Sequence, residues 1–137
     1  PYDGSTHAQL ALDHAASLAK VTGGTLIILY VASLTSAMTR ISGFFGSYDA
    51  GAVAEQVQQK GEVVLHKAKA SVPVEIETDE IFEVGSPGAV IISVADRIGA
   101  ELIVMGSRGL GTFAGVALGS VSTYVLEHAK IPVIVVK

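Results

Sequence analysis

The sequence has no cysteine, few basic residues and no long apolar run. Without cysteine there is no disulfide, no thiolate nucleophile and no Cys-based zinc site. Lys and Arg number 9 against 13 Asp and Glu, for a formal net charge of -4. No cluster of them forms a stripe able to neutralise a run of phosphates, which argues against nucleic acid as a partner. The longest uninterrupted apolar run, Leu26 to Ala32, is far short of a membrane span. No membrane partner is expected, and a cytoplasmic location is. The four histidines, His7, His14, His66 and His128, fall on expected helices without metal-ligand spacing.

What is present is a globular composition: 137 residues, half of them hydrophobic and 16% charged, enough for one domain with its own core. A single domain over 1–137 is expected. Ala, Val, Ile and Gly dominate, which suits buried parallel strands covered by helices. There is no internal repeat and no low-complexity tract.

The chain opens Pro1-Tyr2-Asp3-Gly4-Ser5, a turn without the apolar run that normally precedes one, so either a processed or an incomplete N-terminus is expected. After Ser5, Ala8, Leu12, Ala15 and Ala19 recur at helical spacing until Gly23-Gly24. Thr25 to Val31 reads as a strand buried on both faces. Residues 33–50 have no sustained period and carry three aromatics, which fits a surface connection, or a lid or partner-binding loop. Val53, Val57, Val64 and Ala68 define one face of a helix from Ala52 to Ala70, and Val74 to Val84 reads as a strand. Ser86-Pro87 opens a helix whose buried face is Ile91, Val94, Ala95 and Ile98 and which ends at Gly99. Asp79-Glu80 and Asp96-Arg97 read as solvated charges. Then come a strand from Leu102 to Met105, a glycine loop, a helix from about Ser120 to Ala129, and a last strand from Val133 to Val136. The alternation implies an α/β domain with a mainly parallel, doubly wound sheet.

The glycine loop from Gly106 to Ser122 is where such a chain would hold phosphate. Glycines admit close approach, and the first turn of the following helix offers unpaired N–H groups at the positive end of its dipole. No Lys follows a candidate glycine, so a Walker A loop is excluded. Gly109-Leu110-Gly111-Thr112-Phe113-Ala114 matches the loose dinucleotide fingerprint, but that motif should open the first βαβ unit, and here only one helix and one strand follow.

The remaining pattern is Gly106-x-x-Gly109, nine residues, then Gly119-Ser120. Here the sequence resembles the ATP-binding members of the universal stress protein family, which carry Gly-x-x-Gly, nine residues, Gly-Ser or Gly-Thr. The flanks Leu102 to Gly109 and Pro132 to Val136, and the Asp3-Gly4-Ser5 turn, are similar as well. The resemblance implies a Rossmann-like, open five-stranded parallel sheet with helices on both faces, whose central strand precedes Asp3 and is missing from the sequence. It also implies the ligand's placement. Pro1, Tyr2 and Asp3 would meet the adenine and ribose side, and Val31 would line the adenine pocket. Met105, Gly106, Arg108 and Gly109 would lie along ribose and phosphates, with Arg108 either touching a phosphate or solvated. Gly119, Ser120, Val121 and Ser122 would hold phosphates through N–H and hydroxyl groups. ATP with Mg²⁺ is the implied cofactor, with AMP or a cyclic nucleotide as alternatives. No catalytic residue stands out, so ATP turnover is expected to be slow at most. The resemblance further implies a homodimer paired through the last strand, and an alternative role as an interaction module with the nucleotide site unused.

Overall fold

The structure, a computed structural model, describes residues 1–33, 50–111 and 117–137. Helix α1 (Thr6–Thr22) is capped at both ends: the Ser5 hydroxyl accepts from Ala8 N, and Gly23, in the left-handed region at φ 70, donates its N–H to the Ala19 carbonyl. Strand β1 (Leu26–Ala32) follows and leads, across residues outside the described set, to α2 (Ala50–Ala70). Strand β2 (Thr78–Val84) then pairs with β1 in parallel, Leu26 opposite Thr78 through Ala32 opposite Val84. Helix α3 (Pro87–Ile98), strand β3 (Ile103–Gly106), helix α4 (Ser120–His128) and strand β4 (Val133–Val136) complete the order, β3 and β4 being parallel. The fold is α/β with parallel strands and helices on both faces, as expected.

Three details differ from the expectation. β2 begins at Thr78 rather than Val74, because the chain after Pro73 turns: Ile76 N donates back to the Pro73 carbonyl and Val74 is 99% exposed. Ser86 sits at the N-cap of α3, but its side chain makes no capping bond; Pro87 at the first position sets the helix start instead. Asp96 and Arg97 are exposed, as expected, and each is ion-paired: Arg97 donates to Glu83 on β2 at 2.6 Å and Lys130 to Asp96 at 3.1 Å. Of Asp79-Glu80, Glu80 is half-buried, with its carboxylate 3.6 Å from the His66 ring nitrogen. The irregular stretch expected over 33–50 lies, for 34–49, outside the described residues, and Ala50 already belongs to α2.

Alternation along β1 divides the core. Leu26 and Ile28 pack with Tyr2, Leu12, Leu65 and Ala68 under α1 and α2. Leu29 packs with Ile91, Val94, Met105 and Val125 under α3 and α4. Among the described residues the strands form two two-stranded sheets, β1-β2 and β3-β4. An apolar slot of about 390 Å³, lined by Leu26 to Leu29 of β1, Ile103 and Val104 of β3, and residues of α1 and α3, lies between them. At one end of it Tyr2 N donates to the Leu29 carbonyl at 2.8 Å. Close packing across the layers requires absent side chains at several points, Gly88 and Gly106 among them. A Cβ on Gly88 would meet the Tyr124 ring, and one on Gly106 would lie 2.7 Å from the backbone carbon of His7. No helix among the described residues is long and apolar enough to cross a membrane.

Candidate functional site

The carboxyl ends of β1 and β3, the first strands of the two parallel pairs, both reach one cleft. A cleft of about 710 Å³ opens at these ends, lined from four directions: Pro1 to Asp3, the end of β1, the first half of α2, and the glycine loop with the start of α4. Every residue expected to meet the ligand lies on it: Pro1, Tyr2, Asp3, Val31, Met105, Gly106, Arg108, Gly109, Gly119, Ser120, Val121 and Ser122. Residues 112–116 of the loop lie outside the described set.

Asp3 joins the halves. One carboxylate oxygen accepts from Ser5 N at 2.9 Å and the other from Leu110 N at 3.1 Å. Gly109 is glycine for this reason, since a Cβ there would lie 2.5 Å from the Asp3 oxygen. Tyr2 contributes backbone only. Its ring is buried in the core, its hydroxyl donates to Gln9 at 2.8 Å, and burial, reinforced by the Asp3 and Asp13 carboxylates, pushes its phenol pKa up. Met105 likewise is packed into the core.

The Ser107 carbonyl closes the loop: Gly119 N donates to it at 2.7 Å and the Ser122 hydroxyl at 2.9 Å. These bonds divide the donors expected to face phosphate. The Gly119 N–H and the Ser122 hydroxyl point inward and are used. At the N-terminus of α4 the N–H groups of Ser120, Val121 and Ser122 have no partner within their own helix, because the first intrahelical bond is made by Thr123 N to the Gly119 carbonyl. No side chain caps this end. The Ser120 hydroxyl is exposed beside it. The cleft therefore meets an uncapped helix start, where three N–H donors and the dipole favour an anion.

Among the described residues the charged side chains lining the cleft are Asp3, Lys60 and Arg108. Arg108 makes no ion pair among the described residues and its Nε is buried without a hydrogen-bond partner. Two cations and one carboxylate make this part of an acidic chain locally positive. No three His, Asp or Glu gather into a metal-binding group among the described residues.

Gln56 and Lys60 were not anticipated as lining residues. They follow Val53 by three and seven positions and share its helix face, together with Val57. Through these residues the first half of α2 borders the cleft. Polar residues falling within that apolar stripe were the signal.

Comparison with known proteins agrees with this geometry. The profile described as Universal stress protein family matches residues 1–137. The chain is 32% identical over 140 residues to the universal stress protein YxiE of Bacillus subtilis, covering 98% of this chain and 94% of that one. Among solved structures it is similar to the hypothetical protein MJ0577 of Methanocaldococcus jannaschii, with TM-score 0.85, 25% identity and coverage of 100% and 92%. It is also similar to a universal stress protein in complex with cAMP, with TM-score 0.61, 28% identity and coverage of 98% and 90%. With the Gly106-x-x-Gly109 and Gly119-Ser120 spacing folded around one cleft and the profile matched from end to end, the chain belongs to the universal stress protein family.

Proposed function

We propose that this single domain binds an adenine nucleotide in the cleft, ATP with Mg²⁺ before other ligands, and acts as a nucleotide-dependent module in a cytoplasmic stress response. The observation that carries this reading is the uncapped start of α4 opening into the same cleft as Asp3 and Val31. The phosphates would take the N–H groups of Ser120, Val121 and Ser122 and the Ser120 hydroxyl, with Arg108 alongside. The base and ribose would lie between Val31 and the Pro1 to Asp3 segment. AMP and cyclic nucleotides share that base and ribose and are the alternative ligands; a relative 28% identical to this chain is solved with cAMP.

Mg²⁺ would travel with the phosphates. Among the described residues the one carboxylate on the cleft, Asp3, already accepts two backbone N–H groups. The same engagement leaves no general base in the cleft among the described residues, so ATP turnover is expected to be slow at most. Calorimetric titration of the purified protein with ATP and Mg²⁺, and mass spectrometry of any ligand that co-purifies, test the reading. Saturable binding at one site per chain is expected; the absence of adenine nucleotide from both experiments overturns it.

A second reading, a homodimer paired through the last strand, rests on β4. Among the described residues this strand pairs with β3 alone, and Ile134 on it is 39% exposed. Light scattering at micromolar concentration is expected to give twice the chain mass. A monomer there excludes this reading without touching the first.

A further inference from the structure

Helix α2 presents one face to the cleft, and that face ends in a cation. Val53, Gln56, Val57 and Lys60 all line the cleft and stand at the spacing of a single helix stripe. Lys60 is exposed and makes no ion pair among the described residues. Lys20 meets Glu75 at 3.2 Å and Lys130 meets Asp96 at 3.1 Å, whereas Lys60, like Lys67, Lys69 and Lys137, has no such pair among the described residues; of these four only Lys60 lines the cleft. Among the described residues the cations that line the cleft, Lys60 and Arg108, make no ion pair and stand on different walls, Arg108 in the glycine loop and Lys60 on α2. A neutral ligand gains nothing from this arrangement, whereas a ligand carrying several negative charges gains from each unpaired cation.

We infer that Lys60 is a specificity-determining residue that makes the cleft favour the more highly charged phosphate chain of an adenine nucleotide over nucleosides and nucleotides with a single phosphate. The inference rests on the nucleotide reading above and deepens it. Lys60 supplies a mobile point charge on a long stem, with three N–H donors and no fixed geometry. It therefore follows a flexible phosphate chain rather than fixing its pose, while the rigid N–H groups of α4 hold the pose. Gln56, one turn earlier, is neutral and adds no preference of this kind.

The test compares ATP, AMP and adenosine binding to the whole chain by calorimetry, for the wild type, Lys60→Met, Lys60→Arg and Lys67→Met. Lys67 lies two turns further along α2 and off the cleft, so its variant alters net charge equally without altering the site. Lys60→Met is expected to weaken ATP roughly five- to tenfold and adenosine less than twofold, as the loss of one partly solvated charge contact implies. AMP should fall between them. Lys60→Arg should restore ATP affinity to within about twofold, and Lys67→Met should leave the ATP-to-adenosine ratio unchanged. Equal losses for ATP and adenosine in Lys60→Met, no loss for either, or the same ratio change in Lys67→Met would each overturn the inference while the nucleotide reading stands. A wild type that binds none of the three ligands overturns both.

Discussion

Replacing Gly119 with aspartate is expected to abolish ATP binding while leaving the fold as stable as before. Gly119 is the N-cap of α4, at φ -77 and ψ 164, a conformation open to any residue. Aspartate is among the preferred N-cap residues and glycine is only a few tenths of a kcal/mol poorer, so the helix start keeps its stability. Binding suffers twice. The new carboxylate accepts the N–H of Val121 or Ser122, which are the donors a phosphate needs, and it sets a negative charge where the phosphate would lie. At an effective dielectric near 20, two like charges about 4 Å apart repel by roughly 4 kcal/mol. Since about 1.4 kcal/mol is a tenfold change, a loss of at least a hundredfold is expected even after screening. Calorimetry with ATP and a thermal melt on the same sample check both halves. Normal ATP affinity in Gly119→Asp would show that the phosphates do not sit at this helix start.

The second large effect concerns Gly106. A Cβ there would lie 2.7 Å from the His7 carbonyl carbon and 2.8 Å from its oxygen. Backbone in the first turn of α1 cannot rotate aside as a side chain would, so α1 must move off β3. Gly106 has no positive φ, so the substitution also carries the usual gain of about 0.4–1 kcal/mol from a stiffer unfolded chain. The clash, of order 1–3 kcal/mol and at the upper end because backbone opposes it, exceeds that gain. Gly106→Ala is expected to lower the melting temperature by roughly 5 °C. It should weaken ATP as well, because α1 carries Ser5 and its neighbour Asp3, whose carboxylate holds Leu110. Gly111→Ala is the control for stability, a glycine with no described residue within 4 Å of its Cβ position and no positive φ. An unchanged melting temperature in Gly106→Ala would mean that the contact between α1 and β3 is looser than the backbone distances imply.

Much of this molecule is legible in its sequence because its elements obey local rules. The Leu26 to Ala32 run, the Ser5 and Gly23 caps and the Pro87 start each follow from chemistry within a few residues, and the final strand lies at Val133–Val136 as its apolar run suggests. The glycine spacing was equally readable, since strand, loop and helix start must occur in that order around it. What could not be read depends on contacts between distant segments. That the Gly119 N–H and the Ser122 hydroxyl serve the Ser107 carbonyl, and so are withdrawn from any ligand, emerges only when the loop is closed. Lys60 reads as one more polar residue on a helix until the cleft is seen beside it. Val74 and Ile76 stand in alternation as strand residues would, but the turn after Pro73 takes them up, and β2 starts only at Thr78.

The carboxylate of Asp3 bridges residues 107 positions apart in the chain when it accepts from Leu110 N. The strands of each parallel pair, β1 with β2 and β3 with β4, are neighbours in chain order, so either pair can assemble from a continuous stretch. The cleft cannot, because it needs the first residues of the chain laid against the glycine loop near its end. Such long-range closures carry the largest entropic cost and tend to come late in folding. Competence to hold a ligand is then acquired in the final, most non-local step. Ligand present at that moment adds its binding free energy to the completed state alone, so its effect should appear chiefly as slower unfolding rather than faster folding.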